Sequence, residues 1–193
     1  MKKNTLIFLF ALCPLIPASV RLAYGLVLAV AFIWFFLAGL GFREIVKAIG
    51  PGEAGPYIEM VCIGAAATLF NLVFQWLFPI LSVSLGMYVY LTAFSFIILV
   101  SIDFGSLKAN SFVPVLPFIP VLLGFSLLRE LLGYGTVSLP VPSGIVEYVV
   151  IPGFDFWGLG FWGTAAGAFI LLGAVTWAAK FLQRKTASAR RHA

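Results

Sequence analysis

Long apolar runs separated by short polar or glycine- and proline-containing stretches dominate the chain, and they set its architecture. About 20 consecutive apolar residues cross the hydrocarbon core of a bilayer as a helix, and six segments approach that length. They run about Leu6 to Ser19, Leu22 to Phe42, Tyr57 to Ile80, Val83 to Ile102, Ser111 to Leu128 and Gly158 to Ala179. The first is short and carries Pro14 and Pro17, and the fifth carries Pro114, Pro117 and Pro120. A proline inside a helix removes a hydrogen bond and clashes with the preceding turn, so these two should be discontinuous. Broken backbone at membrane depth survives only where protein or a wet cavity satisfies it, so both should face the bundle interior. The expectation is an all-α integral membrane protein of six transmembrane helices. It forms one polytopic domain over residues 1–193, with a basic tail from 180 to 193.

Composition agrees with this reading. Of 193 residues 62% are hydrophobic and 10% charged, with a mean hydropathy of +1.10, far from the roughly one-quarter charged residues of soluble domains. A secretory signal peptide competes for the first segment, because Lys2 and Lys3 precede the apolar run and small residues stand at Ala18 and Ser19. The prolines within that run and the apolar segments that follow favour a retained span.

Positive charge orients the chain, since lysine and arginine collect on the cytoplasmic side of membrane helices. The tail holds Lys180, Arg184, Lys185, Arg190 and Arg191, the N-terminus holds Lys2 and Lys3, and the connection from Tyr134 to Trp157 holds neither lysine nor arginine. Both termini read as cytoplasmic, at the inner (plasma) membrane. Arg43, Lys47 and Lys108 then fall inside, and Arg21 and Arg129 are exceptions. The net charge of +5 is explained by residues flanking membrane helices, where anionic lipid and topology account for them, so nucleic acid is not an implied partner.

A repeat organises the spans. The second ends Gly41-Phe42-Arg43-Glu44-Ile45-Val46 and the fifth Leu127-Leu128-Arg129-Glu130-Leu131-Leu132. Three spans separate the copies, so halves of about 5–80 and 83–180 would have opposite orientation. That arrangement of two inverted three-helix repeats places functional sites between discontinuous helices near the midplane. The competing reading is solubility and snorkelling at helix ends.

Candidate chemistry is sparse. Cys13 and Cys62 are too few and too apolar in setting for a disulfide framework, and Cys62 reads as a small packed hydrophobe. Asn71 and Gln75 are four apart, on one helix face, with Glu59 near the cytoplasmic end of the same span. Polar groups at membrane depth mark pathways or interhelical contacts. They keep open a small secondary transporter or the substrate-binding membrane component of a vitamin importer. Gly163-Thr164-Ala165-Ala166-Gly167 is a small-xxx-small pattern that brings helices close, between chains of an assembly or within this one. His192 lies beside Arg191 in the polar tail, and no phosphate-binding glycine loop precedes a soluble domain.

Leu12-Cys13-Pro14-Leu15 in a short first helix, Ser126-Leu127-Leu128-Arg129-Glu130-Leu131-Leu132-Gly133-Tyr134-Gly135-Thr136, and the six-span inverted layout resemble the paired small membrane subunits of the Rnf complex and the sodium-translocating NADH:quinone reductase, Nqr. Cytoplasmic termini make the chain more similar to RnfE and NqrD than to their inverted partners, RnfA and NqrE. The resemblance implies a membrane component of an ion-translocating electron-transport complex, in an electron-relay or non-catalytic role. Its partners would be an oppositely oriented homologous subunit and further Rnf/Nqr-type subunits. It also implies one [2Fe–2S] cluster between the two chains, each giving a cysteine from a broken helix in either half, and Cys13 matches the first. The family's second cysteine falls at Phe94, within Thr92-Ala93-Phe94, and a phenylalanine cannot bind iron. Ser95 is adjacent, but one residue turns it about 100° around a helix. The expectation is a divergent paralogue that has lost the cluster and keeps Cys13 as a buried, inert thiol. The alternatives are an altered cluster with Cys13 as iron ligand and a purely structural assembly subunit.

Overall fold

A computed structural model describes residues 12–50, 52–101, 118–152 and 159–189. The part of the first span before Leu12 and the segment 102–117, with Asp103, Lys108, Pro114 and Pro117, lie outside the described residues.

The described chain is mostly helical. It opens on a 3-10 turn, Cys13–Leu15, and then runs α1 Leu22–Ile49, α2 Gly55–Leu77, α3 Pro79–Ser101, α4 Phe118–Tyr134 and α5 Ala165–Ala189. Among the described residues three segments are long and apolar enough to cross a membrane: Leu22–Val46, Tyr57–Leu77 and Pro79–Leu99. In α5 the apolar part is shorter, Ala165–Ala178.

Helix α1 starts where the hydrophobic pattern places it and runs past the expected end at Phe42. Gly50, at φ +65°, is the first glycine after Phe42; it takes the left-handed conformation that closes the helix, and its N–H returns to the carbonyl of Val46. At 28 residues the helix is about 42 Å long. Ala23, Leu28, Ala31, Phe32 and Phe35 form its buried stripe, and Val30, Ile33, Trp34 and Leu37 are exposed. An apolar outer face is what a lipid-facing helix requires. Phe32 is the centre of the core, stacked on Phe118 of α4 at 4.5 Å and edge-on to Phe96 of α3 at 5.6 Å. Helices α2 and α3 break at Phe78–Pro79, where the N–H that would continue the ladder is missing. The chain folds back there, and Asn71 of α2 donates through Nδ2 to the Tyr90 hydroxyl of α3 at 3.2 Å.

Two features depart from an all-helical reading. A two-stranded antiparallel hairpin, β1 Thr136–Val141 and β2 Gly144–Val149, follows α4 and pairs from Thr136↔Val149 to Val141↔Gly144 across a Pro142-Ser143 turn. Gly135, at φ +63°, ends α4 and turns the chain into it. The sixth apolar segment is also divided. Residues Leu159–Gly163 form a 3-10 turn, and α5 begins only after Thr164, whose hydroxyl accepts the N–H of Gly167 as a helix N-cap.

Candidate functional site

The turn that carries Cys13 is anchored by its neighbours. Leu12, Leu15, Ile16 and Ala18 are buried, the N–H of Ile16 returns to the Cys13 carbonyl at 3.4 Å, and the Ser19 hydroxyl donates to the Ile16 carbonyl at 2.8 Å. Leu12 and Leu15 are three apart, so in a 3-10 turn they share the inward side. Cys13 is left at the surface of this chain. The expectation of a buried thiol is thereby corrected: the segment faces inward through its leucines and the cysteine points away.

The Cys13 turn packs against α3, which holds Phe94. Phe94 is 55% exposed, on the same outer stripe as Val83, Met87 and Tyr90. Ser95 and Thr92 are buried on the opposite side, with hydroxyls committed to α3's own carbonyls, Ser95 to Leu91 at 2.9 Å and Thr92 to Tyr88 at 2.7 Å. This donor set does not fit a cluster held by two thiolates from each chain. Phe94 presents a ring where a sulfur is needed, and the adjacent hydroxyl faces the wrong way.

Arg129 and Glu130 of α4 do not snorkel; both are fully buried. The Arg129 guanidinium donates from Nη1 to the Ile16 carbonyl at 2.5 Å, from Nε to that of Trp162 at 3.0 Å, and from Nη2 to those of Gly163 and Thr164 at 2.8 and 2.9 Å. These carbonyls lie at the two interruptions of the fold, after the Cys13 turn and before α5; that of Thr164 also accepts the N–H of Ala168, and that of Ile16 the N–H and hydroxyl of Ser19. Glu130 serves the opposite polarity. Its Oε2 accepts the N–H of Leu22, the first residue of α1, at 2.6 Å and the Ser138 hydroxyl at 3.0 Å, and its Oε1 accepts the Thr136 hydroxyl at 3.3 Å. Ser138 in turn accepts the N–H of Ala23 at 3.1 Å. One dipeptide therefore serves carbonyls at the chain interruptions with a cation and the N-terminus of α1 with an anion, and the helix dipole favours the second of these. The Arg-Glu pattern stands out in the sequence. Its targets, together with Ser138 and the hairpin, do not, because tertiary folding brings them there.

The other candidates separate. Asn71 is buried, whereas Gln75 is exposed, so a shared face does not give them a shared environment. An apolar groove of about 180 Å³ between α1 and α2 is lined by Leu26, Val27, Val30, Phe70, Phe74 and Pro140 among others. It presents no polar side chain to orient a charged or hydrogen-bonding substrate. In the small-residue pattern, Gly163 precedes α5. A Cβ there would meet the Tyr134 hydroxyl at 2.5 Å, and one on Gly167 would strike the Phe161 carbonyl. These glycines serve contacts within the chain. Arg21 pairs with Glu147 of the hairpin and lies 5.6 Å from the Tyr134 ring. Cys62 is half-buried.

A family model described as Rnf-Nqr subunit, membrane protein, matches residues 1–176. An uncharacterized protein of Treponema pallidum (strain Nichols) is 30% identical over 178 residues, covering 92% of this chain and 89% of the relative.

Proposed function

This chain belongs to the Rnf-Nqr family of membrane subunits, and from that premise we propose that it is one of a pair of oppositely inserted homologous subunits in an ion-translocating electron-transport complex, one that has lost its share of the cluster. The observation that carries the reading is the joint placement of two surface positions. Cys13 and Phe94, which correspond to the two cysteines of the family pattern, are both exposed, on a turn and a helix that pack together. A surface of that kind is suited to meeting another chain. It offers one thiol and one phenylalanine, and iron–sulfur ligation takes four soft donors.

In this reading the chain acts as a scaffold. Its helices supply half of a shared dry interior, Arg129 and Glu130 hold the interruptions closed, and Phe94 fills the place of a ligand with apolar volume. Both termini and the basic tail lie on the cytoplasmic side of the inner membrane. Nicotinamide, flavin and remaining redox chemistry belong to other subunits.

Affinity isolation from native membranes, with iron and acid-labile sulfide analysis of wild type and Cys13→Ser, tests this. The expected result is co-isolation of a homologous membrane subunit and no iron that depends on Cys13. Two iron atoms per pair that vanish on mutation would overturn cluster loss and establish Cys13 as a ligand. A stable monomer free of Rnf-like or Nqr-like subunits would count against pairing.

A further inference from the structure

A fully buried arginine calls for a counter-charge, yet among the described residues the partners of Arg129 are four carbonyl oxygens rather than a carboxylate. The neighbouring carboxylate of Glu130 spends its oxygens on Leu22, Thr136 and Ser138. Carbonyls of the consecutive residues Trp162, Gly163 and Thr164 converge on one cation because the 3-10 turn ends there and α5 has only begun. The fourth, Ile16, comes from the far side and closes the turn whose first residue is Cys13. The bonds leave from Nε, Nη1 and Nη2, so the cage matches a planar cation with divergent donors. A spherical ion at one point would not reproduce that spread, and lysine, a compact point charge, differs in the same way.

We propose that Arg129 is a positioning residue for the Cys13 turn: its guanidinium is a tethered ligand in a carbonyl cage that joins the two chain interruptions, and the vacated cage takes free guanidinium. The use of this device rests on the pairing reading, since a turn fixed before assembly is what a partner chain would meet. Its geometry is a property of the single chain. Loss of the side chain leaves the Ile16 carbonyl with its Ser19 contacts alone and frees the turn from the α4–α5 side of the molecule.

The full chain in nanodiscs, with Cys62→Ser and a nitroxide label on the exposed Cys13, provides the test. The label should report an ordered turn. Arg129→Ala should convert most of the spectrum to a mobile component, and millimolar guanidinium chloride should restore the ordered one where potassium chloride at equal ionic strength does not. Arg129→Lys should remain largely mobile. Ser138→Ala weakens the neighbouring helix-capping network but leaves the cage intact, and should keep the ordered spectrum. An ordered label in folded Arg129→Ala, mobility that guanidinium fails to reverse, or equal mobility in Ser138→Ala would overturn the proposal. Should Arg129→Ala yield no folded protein, it is prepared in guanidinium: recovery there supports the cage, and failure there overturns it. No partner chain enters these measurements, so pairing is judged separately by co-isolation.

Discussion

Replacing Glu130 isolates the worth of a buried anion at the start of a 28-residue helix. Hydrogen bonds between membrane helices average about 0.6 kcal/mol, because the unfolded chain in the bilayer finds other partners. Glu130 should exceed that for two reasons. A bond to a charged acceptor contributes about 1.5–3 kcal/mol, and the N–H of Leu22 that it accepts at 2.6 Å lies at the positive end of the α1 dipole. Glu130→Gln keeps one carbonyl oxygen for Leu22 and loses the charge, for a cost of about 1–2 kcal/mol. Glu130→Leu strands the Leu22 amide and the Ser138 hydroxyl in an apolar setting, and at about 1–3 kcal/mol for each unsatisfied group the total is about 2–6 kcal/mol. For a chain of this size each kcal/mol lowers the melting temperature by roughly 2–4 °C, so the order wild type, Gln, Leu should be resolved by thermal unfolding in one detergent. Hydrogen exchange adds location: amides of Leu22 and Ala23 should lose protection in Glu130→Leu before those in the middle of α1. A leucine variant that melts within about 2 °C of wild type, or protection lost evenly along α1, would refute the capping role.

Gly25→Ala should destabilise α1 against α4, because the new Cβ would overlap the Ser126 side chain, whose own Cβ lies at 2.8 Å. Ser126→Gly should relieve it, with a coupling of about 0.5–3 kcal/mol in a double-mutant cycle; additive effects would exclude the contact. Thr164→Ala should cost about 1 kcal/mol through the lost N-cap of α5, with Thr164→Ser near neutral, and equal melting of all three forms would show that the cap is idle. Reporter fusions at residues 145 and 193 should lie on opposite sides of the membrane, and matching sidedness would sink the six-span topology.

How far the sequence could be read depended on what each signal measures. Length and continuity of apolar runs located α1, α2 and α3, since crossing a bilayer is a demand on length. The same criterion ran past Phe78, because a Pro-initiated reversal leaves no gap in hydrophobicity. Helix α5 starts later than the apolar segment that contains it, since Gly160 and Gly163 leave the apolar run unbroken but do not hold the helix. The hairpin escaped notice because Pro140 and Pro142 read as loop, although Gly144-Ile145-Val146-Glu147-Tyr148-Val149 has strand character. Burial was the least legible quantity. In water hydrophobicity marks the inside, whereas in lipid both faces are apolar, so nothing in Leu12-Cys13-Pro14-Leu15 distinguished the exposed cysteine from its buried neighbours.

The two arginines that stood as exceptions to the charge asymmetry show why such counts need structural weighting. Arg21 is paired with Glu147 and lies over Tyr134, at the end of the bundle that carries the hairpin. Arg129 is enclosed by carbonyls in the interior. Translocation bias acts on cationic side chains near helix ends that remain available to the cytoplasmic surface, and these two are taken up by the protein once it folds. Snorkelling, the simpler account of an Arg-Glu pair at a helix end, requires the head group to reach water, and the 0% exposure of Arg129 rules that out at this position. Arg43 in the other copy of the pattern is 9% exposed, likewise withdrawn from water. Glu44 beside it is exposed whereas Glu130 is fully buried, so the two Arg-Glu stretches sit in different environments. In the proposed topology, Lys2, Lys3, Lys47, Lys108 and the basic tail share the cytoplasmic side and the hairpin lies on the other, a sidedness that the reporter fusions at residues 145 and 193 test.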